Sequence, residues 1–299
     1  MTTSFKNSTY LKKILYFIGI LAAAMILSQL VSLLISTLLN VNIEDIYTIQ
    51  DNKNIYALKT IQLLSSIIIF ILAPLVFFIS TNYNYKTLFY VKQKQPITVI
   101  TLLIIFFFAS SPIISTSEIM WQKLLSLDVF KHLLIIAKNQ DLVNQAILKS
   151  LLVQKGVLDI ALNIIIIALI PAIGEELFFR GIIQNFFSYK FSPHLAIILT
   201  SIIFSVIHID IIGILPRLLI SLYLGYLFYW SSSLIYPIIA HFINNGAIVV
   251  AYYAFNVPLS NMENSQVTTF WYFIVISVIV TIIIFRTIKK KLNESTIQA

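Results

Sequence analysis

Ile164-Ile-Ile-Ile-Ala-Leu-Ile-Pro-Ala-Ile-Gly-Glu-Glu-Leu-Phe-Phe-Arg-Gly181 sets two acids and a base directly after an unbroken apolar run. An ionisable group at the centre of a bilayer costs roughly 2.5–3.5 kcal/mol on insertion scales. Either this stretch is not membrane, or Glu175, Glu176 and Arg180 are kept there for a purpose. Composition decides the first alternative. The 299 residues are 59% hydrophobic and 11% charged, where soluble domains carry roughly 25% charged residues. Several apolar runs exceed the ~18 residues that argue for a spanning helix. The expected fold class is therefore all-α: a polytopic membrane helical bundle of about eight transmembrane helices in the cell membrane.

Outward from that stretch, the fourth span runs from near Leu158 through the motif to about Phe187. The fifth covers about His194 to Ile212, the sixth 214–230, the seventh Leu234 to Tyr253 and the eighth 269–285. Upstream, Ile14 to about Leu39 is too long for a signal-peptide core and lacks a small-residue cleavage site, so it reads as a retained span. The second covers about 60–80, with Pro74 as a kink, and the third 97–116. Segment 117–157 is polar with apolar residues at helical spacing, which predicts one or two amphipathic helices on the membrane surface. The many Phe and Tyr side chains read as lipid-facing packing or interface belts. Three units are expected: an N-terminal transmembrane scaffold over 1–157, a transmembrane core over 158–253 that holds nearly all the intramembrane polar residues, and a last helix with basic tail over 254–299.

The net charge of +8 follows the positive-inside rule rather than a nucleic-acid surface. Lys6, Lys12, Lys13, Lys86, Lys92 and Lys94 and the Arg286–Lys291 tail fall on one side when both termini are cytoplasmic. Glu44, Asp45, Asp51 and Glu263 fall on the other. The expected partners are membrane lipids and a membrane-associated peptide, and no nucleic acid. Zero cysteines exclude disulfides, thiol nucleophiles and Cys-ligated metal.

Three helices carry polar groups that hydrocarbon would not tolerate idly. Glu176 and Arg180 are four apart, acid first, as an i,i+4 ion pair prefers. Glu175 is rotated about 100° from Glu176 and stays available. His208 lies in the fifth span, and His241 and Asn245 share a face of the seventh. At 1.5 Å per residue, Glu175 lies about 18 Å from the cytoplasmic end of its helix, His208 about 21 Å, and His241 and Asn245 about 10 and 16 Å. All four can meet near the middle of a ~30 Å core. The plainer reading of each residue, a local hydrogen bond or a lock between two helices, weakens once four share a depth. Asn163 is an outside candidate for the same cavity. Asp159 and Arg217 read as ion-paired or snorkelling groups at outer helix ends, and His132 and His194 as solvated.

No Ser or Cys nucleophile is placed for a covalent route. A carboxylate and an imidazole can activate water as general bases. Alternatively Glu175, His208 and His241 could form the open three-ligand site of a catalytic zinc ion. Asn245 and an imidazole N–H are donors suited to an oxyanion. Both routes end in hydrolysis of a carbonyl compound, and the metal question stays open. The competing reading is a non-catalytic scaffold or a proton-coupled transporter, though no internal repeat or paired broken helices support transport.

Glu175-Glu176-x-x-x-Arg180, Phe204-x-x-x-His208 and His241-x-x-x-Asn245, on successive spans, resemble the three motifs of the CPBP family. This is the family of CAAX prenyl endopeptidases and bacteriocin-processing proteins, also called Abi or type II CAAX proteases. Leu224-Gly225 and Leu234-Ile-Tyr-Pro237 resemble its usual context, and the likeness covers about residues 158–250. The resemblance implies intramembrane proteolysis in which Glu175 and His208 activate the water while His241 and Asn245 stabilise the oxyanion. Members of the family are often labelled metalloproteases and act on prenylated CAAX proteins, leader peptides or bacteriocins.

Overall fold

The computed structural model describes residues 10–42, 51–90, 96–152, 156–255 and 271–294. The charges expected at Lys6, Glu44, Asp45, Lys92, Lys94 and Glu263 lie outside the described residues. Among those described the chain forms nine helices and no strand: α1 Tyr10–Leu38, α2 Asn52–Ser80, α3 Pro96–Leu125, α4 Lys131–Leu152, α5 Val157–Lys190, α6 Pro193–Ile207, α7 Ile214–Ser231, α8 Ile235–Phe255 and α9 Trp271–Glu294. Hydrocarbon offers backbone N–H and C=O groups no partner, so each apolar run closes its own hydrogen bonds as helix. Seven of the nine are long and apolar enough to cross a membrane, while α4 and α6 are not among them. The protein is a multi-pass membrane protein.

Two of these helices widen just before a proline. Residues Ile67–Leu72 of α2 and Ile164–Leu169 of α5 form π-helical turns ahead of Pro74 and Pro171. Proline has no N–H for the i−4 carbonyl and its ring crowds that carbonyl. The chain upstream shifts to i−5 bonding, as Ala73 N–H to Ile68 O and Ile170 N–H to Ile165 O show. The kink expected at Pro74 takes this form. Here α2 and α5 press together, and Gly174 is what lets them: a Cβ there would stand 2.8 Å from Phe70 Cβ and 3.3 Å from its carbonyl carbon.

Helix α6 departs from expectation. It starts under a Ser192 cap, whose Oγ accepts from Leu195 N–H, with Pro193 in its first turn. It then stops at Ile207 after 15 residues, or about 22 Å, short of the ~30 Å core. His208 caps it, and Ile209 sits at φ 48°. That left-handed conformation costs a β-branched residue roughly 1–2 kcal/mol, and the sequence gives no warning of it: the first glycine comes only at Gly213. The turn over 208–213 then leads into α7, and non-helical backbone at membrane depth is tolerated where it lines a cavity.

The aromatic residues were expected mainly at lipid and interface, and many are instead core. Phe17, Phe77, Phe78, Phe178, Phe179 and Phe204 pack in one buried cluster, ring edges against ring faces, as in Phe17–Phe77 at 5.2 Å and Phe179–Phe204 at 4.9 Å. A second cluster joins α3, α7, α8 and α9 through Leu103, Phe106, Leu227, Tyr236 and Ile288. Exposed Leu and Ile on α1 and α9 are left for lipid. Of the polar segment 117–157, residues to Leu125 continue α3, and α4 is a single separate helix that brings Asp141, Leu148 and Leu151 to a cavity wall.

Candidate active site

Arg180 is fully buried and shows how the bundle tolerates it. Its Nη1 donates to Glu176 Oε1 at 2.8 Å, and its Nη2 donates to Ser221 O and Oγ at 2.9 and 2.8 Å. The guanidinium lies over the Phe204 ring at 5.1 Å. A buried ion pair repays its desolvation only with further hydrogen bonds, and α7 supplies two of them, while among the described residues Arg180 Nε and Glu176 Oε2 have none. One turn on, Gln184 Nε2 donates to Gly225 O at 3.2 Å. The two rungs are four residues apart on both helices, so α5 and α7 run in the same direction. Gly225 sits close against α6 and α5: a Cβ there would stand 2.8 Å from Ile197 Cγ2 and 3.1 Å from Gln184 Oε1. Ser221 was not picked out from the sequence. The only signal for it was the shared i,i+4 spacing of Ser221–Gly225 and Arg180–Gln184.

Glu176 has a second task. Its Oε1 also accepts from His241 Nδ1 at 2.9 Å. A carboxylate can only accept, so Nδ1 carries a proton and Nε2 is turned the other way. His208 is held by its own helix: Nδ1–H donates to Phe204 O at 2.7 Å, with the two rings 4.8 Å apart. The Phe204-x-x-x-His208 spacing is thus a backbone acceptor and a ring platform one turn back.

Both Nε2 atoms face the same oxygen. His208 Nε2 is 3.7 Å and His241 Nε2 3.8 Å from Glu175 Oε2, and that buried oxygen has no hydrogen-bond partner. Glu175, His208 and His241 are brought together as expected, although His208 arrives from the end of a short helix rather than from the middle of a span. Asn245 lies one turn beyond His241 on the same cavity wall. Its Nδ2 reaches Ile167 O at 3.4 Å and its Oδ1 accepts from Asn244 Nδ2 at 3.2 Å. Ile167 O is the carbonyl to which Pro171 cannot donate.

These groups line a cavity of about 560 Å³. The same cavity is lined by Gln62, Glu118, Asp141, Asp210 and Arg217, of which the sequence singles out only Arg217, as an ion-paired or snorkelling group. Arg217 pairs with Asp210 at 2.6 Å, and Lys59 with Asp159 at 3.4 Å. On α4, burial and then the Asp210 charge push the Asp141 carboxyl above the usual carboxylate range, against the pull of Gln145 and Arg217. Asn163 does not join the cavity. It is buried and donates to Tyr253 OH at 2.5 Å, which donates to Leu152 O at 2.6 Å. His132 and His194 are exposed, the latter against Tyr226 OH at 3.0 Å.

The zinc site expected as an alternative needs three ligands around one point. Both imidazoles present Nε2, but among the described residues no group of three or more His, Asp and Glu is arranged to hold a metal ion.

Residues 157–247 match the family model described as type II CAAX prenyl endopeptidase Rce1-like. The matched stretch spans α5 to α8 and holds every residue of the Glu175–His208–His241–Asn245 set. Searches of curated proteins and of solved structures each found no significant match.

Proposed function

We propose, from the match of helices α5 to α8 to the type II CAAX prenyl endopeptidase Rce1-like family model, that this chain is an intramembrane endopeptidase. It hydrolyses a peptide bond of a membrane-associated substrate of CAAX-like, leader or bacteriocin type. One observation carries the reading: a buried, unpartnered Glu175 oxygen faced by two imidazole nitrogens, whose other nitrogens are already committed, in a cavity of about 560 Å³.

Glu175 Oε2 and His208 Nε2 are both acceptors and need a donor between them, and a water molecule supplies two protons. Glu175 and His208 draw one proton from that water as its oxygen attacks the scissile carbonyl carbon. The carbonyl π bond opens, and negative charge develops on the oxygen. Asn245, held by Ile167 O, and His241, which Glu176 orients and which donates from Nε2 when its ring is doubly protonated, are the groups placed to stabilise that oxyanion. As the tetrahedral intermediate collapses, the proton passes from Glu175 or His208 to the leaving amine nitrogen and the C–N bond breaks. Arg180 and Ser221 touch no reacting atom; they fix Glu176, and Glu176 fixes His241.

Glu175→Gln and His208→Ala, each in purified protein, should reduce peptide cleavage by about 10²–10⁴-fold, the usual worth of a positioned acid–base group. Wild-type rates in either variant would sink the assignment. Proton-linked flux with no hydrolysis would favour the transporter reading instead.

A further inference from the structure

His208 reaches Glu175 from a backbone that has just left its helix, and its contacts with Phe204 run back along that helix rather than into the following turn. Ile209, at φ 48°, is 69% exposed. The restraint comes from beyond the reacting groups. We propose that Asp210, Gly213 and Arg217 form a latch that positions the His208 imidazole against Glu175. The pair Asp210–Arg217 then acts on the reaction only through that imidazole. The catalytic meaning of the latch rests on the proteolytic reading above; the positioning itself does not.

Asp210 binds in two directions. Its Oδ1 accepts the Gly213 N–H at 3.2 Å, closing the turn, and its Oδ2 takes Arg217 Nη2 at 2.6 Å, tying that turn to the first turn of α7. Gly213 is the seat on which the pair rests. A Cβ there would meet Arg217 Nη1 and would stand 2.6 Å from Asp210 Oδ2 and 2.8 Å from Arg217 Cζ. Arg217 N–H in turn donates to Gly213 O at 3.0 Å. From the third span, Trp121 Nε1–H donates to Ile211 O at 2.7 Å. Positions 210, 211 and 213 are thereby fixed by α7 and α3, two and more residues after the imidazole that has to keep its place.

The charges are only partly buried, with Asp210 12% and Arg217 30% exposed. An ion pair in that setting is weak as a source of overall stability but effective as geometry: the guanidinium is planar and meets the carboxylate along a fixed direction. Asp210 faces Arg217, while Glu175 faces the imidazoles, so the pair acts beside the reacting set rather than within it.

The chain has four histidines, so histidine-selective ¹⁵N labelling of the full-length protein in nanodiscs reports His208 directly, assigned by its loss in His208→Ala. Asp210→Asn and Arg217→Met should each shift or broaden the His208 ring resonances, while those of His132 and His194 stay in place as a check on the fold. Arg217→Lys, which keeps the charge but not the planar fork, should recover the wild-type signal only in part. His208 resonances unchanged in both disruptive variants would overturn the latch. On an internally quenched peptide cleaved by the wild type, the same variants should lose tenfold or more in kcat with KM within twofold, and Arg217→Lys should recover only part of it. A raised KM with kcat intact would show that the pair binds substrate instead, and would also overturn the proposal. Should the wild type cleave no peptide while the resonances still move, the latch stands and the proteolytic reading falls.

Discussion

Glu176→Gln separates the structural half of the polar cluster from the reacting half. Glu176 and Arg180 are both fully buried, and one carboxylate oxygen receives both Arg180 at 2.8 Å and His241 at 2.9 Å. The amide keeps an acceptor for His241 but leaves the guanidinium charge without its carboxylate partner. Removing one member of a buried pair typically costs about 3–5 kcal/mol, because the remaining charge is uncompensated. At about 2–4 °C per kcal/mol, the unfolding midpoint should fall by roughly 6–20 °C. Arg180→Met should cost a similar amount, since it strands Glu176 instead. The double variant should cost clearly less than the two singles added, as replacing a whole buried pair is often near neutral. The assay is thermal unfolding of detergent-solubilised protein, run as a double-mutant cycle. Additive losses, or a single variant as stable as the wild type, would refute the coupling read from these distances.

The close crossing of α2 and α5 should make Gly174→Ala costly by about 1–3 kcal/mol of overpacking, read as a lower midpoint together with reduced cleavage. Phe70→Ala should not rescue it, because the added methyl meets Phe70 Cβ and carbonyl carbon rather than its ring. Asp141 binds its proton more tightly in the folded state than in the unfolded one, so folding is favoured at low pH and loses that contribution as pH rises through the raised value. Asp141→Asn should therefore raise the midpoint at pH 8 and leave it nearly unchanged at pH 3; a gain that grows as pH falls would contradict the assigned cause. Cleavage should survive exhaustive chelation, and activity restored only by added zinc would replace the water route with a metal-based one.

Much of the fold was legible because hydrocarbon leaves the chain so few options. Long apolar runs with few charges must be helices, and the boundaries of α1, α5, α7 and α8 fell close to those expected. The Glu176–Arg180 pair followed from i,i+4 spacing alone, and the gathering of Glu175, His208 and His241 from depth along three helices. What stayed hidden was whatever depends on a neighbour far away in sequence. Nothing near Ile207 announces that α6 ends there, since the turn after the left-handed Ile209 is closed by bonds among Asp210, Gly213 and Arg217 and from Trp121 to Ile211. The aromatic rings could not be sorted between lipid and core, because both environments are apolar and only packing tells them apart. Asn163 turned away from the cavity for the same reason: a polar side chain in a span turns to the nearest partner, and its partner, Tyr253, belongs to another helix. The opening stretch shows both sides of this. Its sequence determined that Arg180 would neutralise Glu176 and leave Glu175 available. Only the tertiary structure decided that Glu176 would also aim His241, and that Glu175 would keep one oxygen unpartnered between two imidazoles.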